Sequence, residues 1–285
     1  MEKVYNFRIR KDHGHGGATQ MKAAYVGIDL LYPALPALAD TGCEILRVFT
    51  CETDNVTEFN TQVSAFAREK GIPLQTGRMT AGDLEDLRRA GCELVLCGGY
   101  YYRLPMRKDL YMVNIHPALL PVGRGAWPMP VTILKGLPES GVTMHRMTEG
   151  LDEGDVLLSR RVEVAPEENL RTLTDKLQAL LPGMVRELAA DLPALWDSAV
   201  PQEAERAEYW PTPTDRDWTV NEHMSPAEAD RILRAFYGYE VIYERGGERW
   251  ELIDAELADA AEAGIFSLPF GEGKVIRAGR ARRIS

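Results

Sequence analysis

The sequence of 285 residues contains five histidines, and His116 lies in the largely apolar stretch VNIHPALLPVGRGAWP, residues 113–128. Asn114 precedes it by two positions, so in an extended chain the two side chains leave the same face. An amide and an imidazole that converge can polarise a carbonyl group and move a proton. His116 is therefore the first candidate for a catalytic residue.

Two other roles for His116 are compatible with this stretch alone. A metal ion needs three or four N, O or S ligands, and the sequence offers no HxH or HExxH partner near His116, so we predict no metal. A structural pair, in which Asn114 and His116 only hydrogen-bond a loop, is the plainer alternative. A second motif is needed to choose between structure and catalysis.

That second motif is GVTMHRMTEGLDEGD, residues 141–155, an apolar strand that leads into an acidic loop. Gly150 and Gly154 bracket the loop, and glycine permits backbone conformations that are closed to other residues. Such a loop can turn a carboxylate inward, which would raise the pKa of His116 and fix the orientation of its ring. The spacing predicts an acidic partner for His116 without choosing among the carboxylates.

Buried strands must position these residues. Four apolar runs predict strands over residues 23–28, 44–50, 93–98 and 111–115. Amphipathic runs between them predict helices over residues 57–71, with Phe59, Val63 and Phe66 on one face, and over 81–91. This alternation predicts an α/β fold with a doubly wound, mostly parallel, Rossmann-like sheet. Ligands of such a sheet bind beyond the carboxyl ends of its strands.

A dinucleotide fingerprint is absent from the predicted sheet. The glycines of HGHGG, residues 13–17, precede the first strand and cannot form the turn that holds a pyrophosphate. We predict that residues 1–20 are an N-terminal extension. This interpretation is favoured over a metal site formed by His13 and His15.

The rest of the chain predicts a large catalytic domain and a smaller one. Residues 21–200 form the catalytic domain, which closes with a helix over 170–196. The charged, proline-bearing segment 201–218 is predicted to be a linker. Residues 219–285 predict a small, mainly β domain with one helix that begins after Ser225 and with hairpins over 239–253 and 264–282.

Composition limits the class of protein. A net charge of -10 argues against a dedicated nucleic-acid binder. The sequence has no long apolar run and no secretory signal, so we expect no membrane association and a cytoplasmic location. Cys43, Cys51, Cys92 and Cys97 show no CxxC spacing, and we predict that they are reduced thiols in the core.

The segments NIHPALLP, RGAWP and GVTMHRMTEGLDEGD resemble, in sequence and in order, the formyltransferases that use 10-formyltetrahydrofolate. The resemblance spans residues 21 to about 196. It implies that Asn114, His116 and Asp152 are the catalytic residues. Asp152 is the first aspartate of LDEGD, which the family uses, whereas Glu149 and Glu153 are expected to be solvated.

The resemblance also implies a mechanism. An unprotonated amine attacks the formyl carbon while charge develops on the formyl oxygen. The Asn114 amide and a protonated His116 would donate hydrogen bonds to that oxygen. His116 and Asp152, with or without an intervening water, would carry protons from the amine to the folate nitrogen.

The family further implies where the formyl donor and the amine bind. The segment GGYYYRLP, residues 98–105, is similar to the stretch that lines the folate pocket, with residues 148–152 on its other side. The implied donor contacts are Tyr101, Tyr102, Leu104, Thr148, Gly150 and Leu151. The implied substrate contacts are Arg124 and Gly125. Three consecutive tyrosines depart from the family pattern, so each ring has packing as an alternative.

Two classes of amine remain open. The C-terminal domain resembles the appendage of methionyl-tRNA formyltransferases, although sugar formyltransferases carry similar ones. Those tRNA enzymes have a long basic insertion where this chain has the short acidic CETDNVTEFN, residues 51–60, and commonly a serine where it has Ala118. We therefore favour a small-molecule amine, either an amino sugar nucleotide or an amino-acid-derived amine. The alternatives are a tRNA substrate and a non-catalytic folate-binding paralogue.

Exposed apolar residues in the terminal hairpins suggest a homodimer.

Overall fold

A computed structural model describes residues 20–260 and 266–285. Residues 1–19, with His13 and His15, lie outside the described residues. The strands of the first part are β1 (Lys22–Gly27), β2 (Glu44–Thr50), β3 (Leu74–Thr76), β4 (Leu94–Gly98), β5 (Tyr111–His116), β6 (Val122–Arg124), β7 (Glu139–Arg146), β8 (Val156–Glu163) and β9 (Glu208–Tyr209). Its helices are α1 (Ala34–Asp40), α2 (Thr61–Glu69), α3 (Ala81–Arg89), α4 (Pro128–Leu134), α5 (Leu170–Ala190) and α6 (Leu192–Asp197).

Seven strands form the central sheet in the order β3-β2-β1-β4-β5-β7-β8. The strands from β3 to β5 are parallel, whereas β7 and β8 are antiparallel. The predicted α/β class with a mostly parallel sheet is confirmed. The two antiparallel strands place β7 directly beside the carboxyl end of β5.

The inner strands are apolar because both faces of the sheet are covered. In β1, Ala23 and Tyr25 pack into one hydrophobic layer and Ala24 and Val26 into the other. All four are fully buried, so the strand shows a continuous apolar run instead of an alternating one. Cys43, Cys51, Cys92 and Cys97 are buried free thiols, as predicted.

Two helix predictions need correction. Phe59 is not part of α2, which begins at Thr61, and the residue is 42% exposed. The helix predicted over 170–196 is two helices, because Asp191 leaves the helical conformation and accepts a hydrogen bond from Ala194 N–H at the start of α6.

The last part of the chain is mainly β. It contains β10 (Thr219–Asn221), α7 (Pro226–Ala235), β11 (Val241–Arg245), β12 (Glu248–Ile253), β13 (Glu256–Asp259), β14 (Ser267–Gly271), β15 (Lys274–Arg277) and β16 (Arg280–Arg283). These strands form one sheet in the order β10-β11-β12-β16 and another in the order β13-β15-β14. Ser225 caps α7 in a capping box with Glu228, as the sequence predicts.

The segment predicted as a linker packs against the first part of the chain. Its strand β9 pairs with β6, and Trp210 is buried. Among the described residues from 239 onwards, Ile284 is the large apolar residue that is more than one third exposed, and it lies just after β16. No helix of residues 20–260 and 266–285 is long and apolar enough to cross a membrane.

Candidate active site

The carboxyl end of β5 and the neighbouring strand β7 carry the polar side chains of the site. The pairing register sets Asn114 opposite His145 and His116 opposite Thr143. Thr143 stabilises the turn that follows β5, because its hydroxyl donates to Ala118 O at 2.7 Å and accepts from Leu120 N–H at 3.2 Å. Two adjacent strands, and not a loop, therefore fix Asn114, His116 and His145.

The loop after β7 delivers Asp152. Its backbone has a φ of 54°, a conformation that non-glycine residues rarely adopt. Gly154 is required for a different reason from the one expected, since a Cβ there would lie 1.9 Å from Arg146 O. Gln202 stabilises the loop by donating from Nε2 to the carbonyl oxygens of Asp152 and Gly154, both at 2.8 Å. The carboxylate of Asp152 is thereby turned inward and is only 7% exposed.

Asp152 lies among four nitrogen atoms. Its Oδ2 accepts a hydrogen bond from Gly125 N–H at 3.0 Å and lies 3.7 Å from His116 Nδ1. Its Oδ1 accepts from Asn114 Nδ2 at 3.3 Å and lies 3.5 Å from His145 Nε2. Asn114 Nδ2 also donates to His145 Nε2 at 3.1 Å. The predicted trio of Asn114, His116 and Asp152 is thus joined in one network, with His145 as a fourth member.

Backbone carbonyls determine which nitrogen of each imidazole carries hydrogen. His116 Nε2 lies 2.8 Å from Gly123 O, and His145 Nδ1 lies 2.8 Å from Arg146 O. A carbonyl oxygen only accepts, so these two nitrogens must be the protonated ones. In the neutral rings, His116 Nδ1 and His145 Nε2 therefore hold lone pairs, and both face Asp152. The site can accept a proton at this point.

Burial controls the charges in this network. Burial opposes ionisation of Asp152, but the neighbouring His145 and His116 imidazoles and the Gly125 N–H together lower its pKa. Burial of the His116 ring lowers the pKa of that histidine, and the attraction of Asp152 does not offset the effect. The expectation of a raised pKa and a protonated His116 was therefore wrong. Desolvation of a fully buried ring outweighs the nearby carboxylate, and the resting ring is neutral.

A cavity of about 460 Å³ reaches this network. Asn114, His116, His145 and Asp152 line it, together with the residues that the family resemblance assigned to donor binding: Tyr101, Tyr102, Leu104, Thr148, Gly150 and Leu151. The volume lies within the range of small-molecule sites. The structure thus brings the expected donor segments and the polar network to one cavity.

The two residues expected to contact substrate differ in position. Gly125 lines the cavity, and a Cβ there would lie 2.3 Å from Trp210 O. Arg124 is not among the lining residues. Its guanidinium donates to Gln202 Oε1 at 2.8 and 3.1 Å, which orients that side chain towards the Asp152 loop.

Two residues of this site were missed at the level of sequence. His145 is the buried histidine of β7, and a polar residue inside an otherwise apolar strand was the available signal. Gln202 belongs to the segment interpreted as a linker, and nothing local distinguishes it from the other polar residues there. Their positions depend on strand pairing and on chain packing, respectively.

Comparison with known proteins identifies the family. A family model described as formyl transferase matches residues 54–186. A methionyl-tRNA formyltransferase from Parvibaculum lavamentivorans is 32% identical over 277 residues, which cover 91% of this chain and 89% of that protein. The chain belongs to the formyltransferase family, and it is an enzyme that transfers formyl groups.

Solved structures show the same fold. A sugar N-formyltransferase from a Shewanella species has a TM-score of 0.64 at 18% identity, covering 82% of this chain and 96% of that chain. HypX from Aquifex aeolicus, in complex with tetrahydrofolic acid, has a TM-score of 0.68 at 14% identity, and the match covers 93% of this chain and 46% of that chain.

The formyl donor of this family is 10-formyltetrahydrofolate. The residues of the cavity fit such a molecule. Aromatic and aliphatic side chains of residues 100–106 suit a flat ring system, and the Asn114 amide and the Asp152 carboxylate supply polar groups beside it.

Proposed function

We propose that this enzyme transfers the formyl group of 10-formyltetrahydrofolate to the primary amine of a small substrate, either an amino sugar nucleotide or an amino-acid-derived amine. The observation that carries the proposal is the convergence of Asn114, His116 and Asp152 in the wall of one cavity. The segments 101–104 and 148–151 line the same cavity. The donor supplies an electrophilic formyl carbon, and the chain supplies the polar groups around it.

Each residue has a distinct role in this proposal. Asn114 donates an amide hydrogen to the formyl oxygen by giving up its longer bond, the one to Asp152 at 3.3 Å. His116 Nδ1 takes a proton from the attacking amine, and Asp152 stabilises the imidazolium that forms. The same proton can then be passed to the leaving nitrogen. His116 is thus a base in its resting state.

A small substrate is supported by the segment 51–60. This segment contains no lysine or arginine. Asp54 folds it into a compact turn by accepting hydrogen bonds from the backbone N–H groups of residues 56–58. Its Glu58 accepts a hydrogen bond from Tyr239 at 3.0 Å, which ties the segment to the C-terminal region. A compact acidic segment repels the phosphates of an acceptor stem.

Transfer to an aminoacyl-tRNA is the second candidate. The relative from Parvibaculum lavamentivorans carries the name methionyl-tRNA formyltransferase and matches along most of both chains. This candidate requires that tRNA approach the cavity past the acidic segment. Its rate of formylation should then fall steeply as salt is raised.

Formyl transfer with purified protein and 10-formyltetrahydrofolate tests the proposal. The acceptors are a panel of small amines and, separately, charged initiator tRNA. We expect turnover of a small amine that falls about 10²- to 10⁴-fold in His116→Ala while folate binding is retained. Unchanged turnover in that variant contradicts the mechanism, and robust turnover of tRNA alone favours the second candidate. Folate binding without turnover of any acceptor would indicate a non-catalytic paralogue.

We also propose that residues 21–200 form the catalytic domain, that residues 219–285 form a small C-terminal β-rich domain, and that the enzyme works in the cytoplasm. Four buried free thiols support a reducing compartment. The homodimer stays a prediction, which light scattering coupled to size-exclusion chromatography measures.

A further inference from the structure

One carboxylate in the cavity has no part in the chemistry described above. Glu58 lines the cavity together with Trp127 and Tyr239. The rings of Trp127 and Tyr239 meet edge to face, with centroids 4.9 Å apart. Three separated segments, the loop before α2, the residue that precedes α4 and the loop after α7, thus combine an acidic group with two aromatic rings.

Glu58 is held in a defined position. The Asp54 carboxylate accepts a hydrogen bond from Glu58 N–H at 3.0 Å, and the Glu58 carbonyl accepts from Asn55 N–H at 3.0 Å. Tyr239 O–H donates to Glu58 Oε1 at 3.0 Å. That bond occupies Oε1, and within residues 20–260 and 266–285 no hydrogen bond engages Oε2.

The charge of Glu58 is not balanced by the protein. Partial burial raises the pKa of the carboxyl, the Tyr239 hydrogen bond lowers it, and repulsion by Asp54 raises it again. Across residues 20–260 and 266–285, no lysine, arginine or histidine forms an ion pair with Glu58. A partly desolvated carboxylate without a cation is costly, and a bound cation would relieve that cost.

The cavity offers few positively charged side chains to an anionic group of a ligand. Among the lining residues that the structure describes, Arg103 is the one lysine or arginine, and its guanidinium donates to Glu149 O beside the Asp152 loop. The π faces of aromatic rings such as Trp127 and Tyr239 carry the negative part of the ring quadrupole, which attracts a cation, particularly a guanidinium. The region around Glu58 therefore suits a positive group and not a diphosphate.

We propose that Glu58, Trp127 and Tyr239 form an acceptor subsite that binds a second, positively charged group of the amine substrate, either an ammonium or a guanidinium. This inference rests on the proposed function and narrows it. Of the two small-molecule classes, it selects an amine derived from a basic amino acid over an amino sugar nucleotide. The reacting amine loses its proton near His116, while the second cation stays protonated at Glu58.

Matched amines test the charge preference. The probes are pentane-1,5-diamine against 5-aminopentan-1-ol, and agmatine against pentylamine, each assayed for formyl transfer from 10-formyltetrahydrofolate. Each pair compares a primary amine that has a second cation with one that has none. We expect kcat/KM to be about ten- to hundred-fold higher for the cationic member, as for a hydrogen bond to a charged group.

Variants link the preference to Glu58. Glu58→Gln keeps the shape of the side chain and removes the charge, so the preference should fall to less than threefold, mainly through KM. Glu52→Gln makes the same change at an exposed residue of the same loop and should leave the preference intact. Tyr239→Phe keeps the ring and should reduce the preference only in part.

The outcomes separate this inference from the proposed function. If both members of each pair react equally well, or if Glu58→Gln keeps the preference, the subsite is overturned while small-amine formylation stands. If glucosamine or a nucleotide-linked amino sugar reacts better than every diamine, the subsite is also overturned. If only charged tRNA reacts, both proposals fail. If no acceptor reacts, calorimetric titration with agmatine decides, since equal binding to wild type and Glu58→Gln contradicts the subsite.

Discussion

Asn114 has two amide hydrogens, and both are engaged before any ligand arrives. One is donated to His145 Nε2 at 3.1 Å and the other to Asp152 Oδ1 at 3.3 Å. Arg146 O fixes the proton of His145 on Nδ1, which leaves Nε2 as an acceptor. His145 therefore determines which way the Asn114 amide faces. A flipped amide would present an oxygen, and not a donor, in place of its NH₂ group.

His145 is accordingly predicted to be a positioning residue. In His145→Leu the acceptor for Asn114 is lost, and we expect kcat to fall about tenfold or more with little change in KM for the folate. His145→Gln retains an acceptor oxygen and should recover most of the rate. Steady-state kinetics measure both. Equal losses in the two variants, or a matching loss of folate affinity, would show that the ring serves packing alone.

The neutral state of His116 is open to direct measurement. Burial lowers its pKa, so the ring should titrate below the ordinary histidine value of about 6.5. The imidazole C2–H resonance, assigned by comparison with His116→Gln, follows the titration in the folded enzyme. A midpoint above 6.5 would restore the protonated resting state.

The same shift predicts a pH dependence of stability. Above pH 6.5 the ring is neutral in both the folded and the unfolded chain, and its contribution to stability is fully present. As the pH falls below 6.5, the unfolded chain takes up a proton that the folded chain resists, and the contribution is lost by the folded-state pKa. Urea unfolding at several pH values between 5 and 8 measures the free energy of unfolding. The part of its pH dependence that comes from His116 should be absent in His116→Gln.

At the scale of elements, the segment after α6 acts on the site through Gln202. Its side chain bonds two carbonyls of the Asp152 loop and accepts from Arg124. Asp152 has a φ of 54°, and surrounding bonds have to hold such a conformation. A residue outside β5 and β7 thereby holds the Asp152 carboxylate in position.

Gln202→Ala should lower kcat about tenfold, because the Asp152 loop loses two hydrogen bonds. Arg124→Ala leaves both of those bonds in place and should have the smaller effect. Gln75→Ala, which removes a partly buried, hydrogen-bonded glutamine elsewhere, is the matched control. The pH profile of kcat is informative, since displacement of Asp152 from His116 should move its acidic limb. An unchanged profile together with an unchanged rate contradicts this role.

The elements themselves were largely predictable from the sequence. The runs of β1, β2, β4 and β5 are apolar because they are buried on both faces, and their bounds agree with prediction within one residue. The register between β5 and β7 was not predictable. No local pattern states that Asn114 lies opposite His145, because pairing depends on residues 31 positions apart. Asn114 and His116 were found from their spacing at the end of a predicted strand, whereas Asp152 was chosen through motif resemblance, which carries that information indirectly.

One hydrophobic cluster connects the region of the central sheet with the C-terminal β-rich region. Leu233 of α7, Met129 and Ile133 of α4, and Leu177 of α5 are buried in the same cluster. Tyr239, which follows α7, reaches the cavity and bonds Glu58, 181 positions earlier in the chain. The C-terminal region thus forms part of the wall of the cavity. The contact between Tyr239 and Glu58 could not be predicted from local patterns, because the two residues lie so far apart in the sequence.

A shared cluster predicts that the two parts unfold together. Leu233→Ala removes a buried side chain, which costs about 2–5 kcal/mol of the free energy of unfolding. Hydrogen exchange across a urea series, read by mass spectrometry, gives that free energy separately for peptides of β1 and β4 and for peptides of β11 and β12. We expect both sets to lose the same amount, because the cluster spans them. Leu84→Ala, in the layer on the other face of the sheet, should lower both sets in the same way. If Leu233→Ala weakens only β11 and β12, the C-terminal region is an independent unit that unfolds without the central sheet.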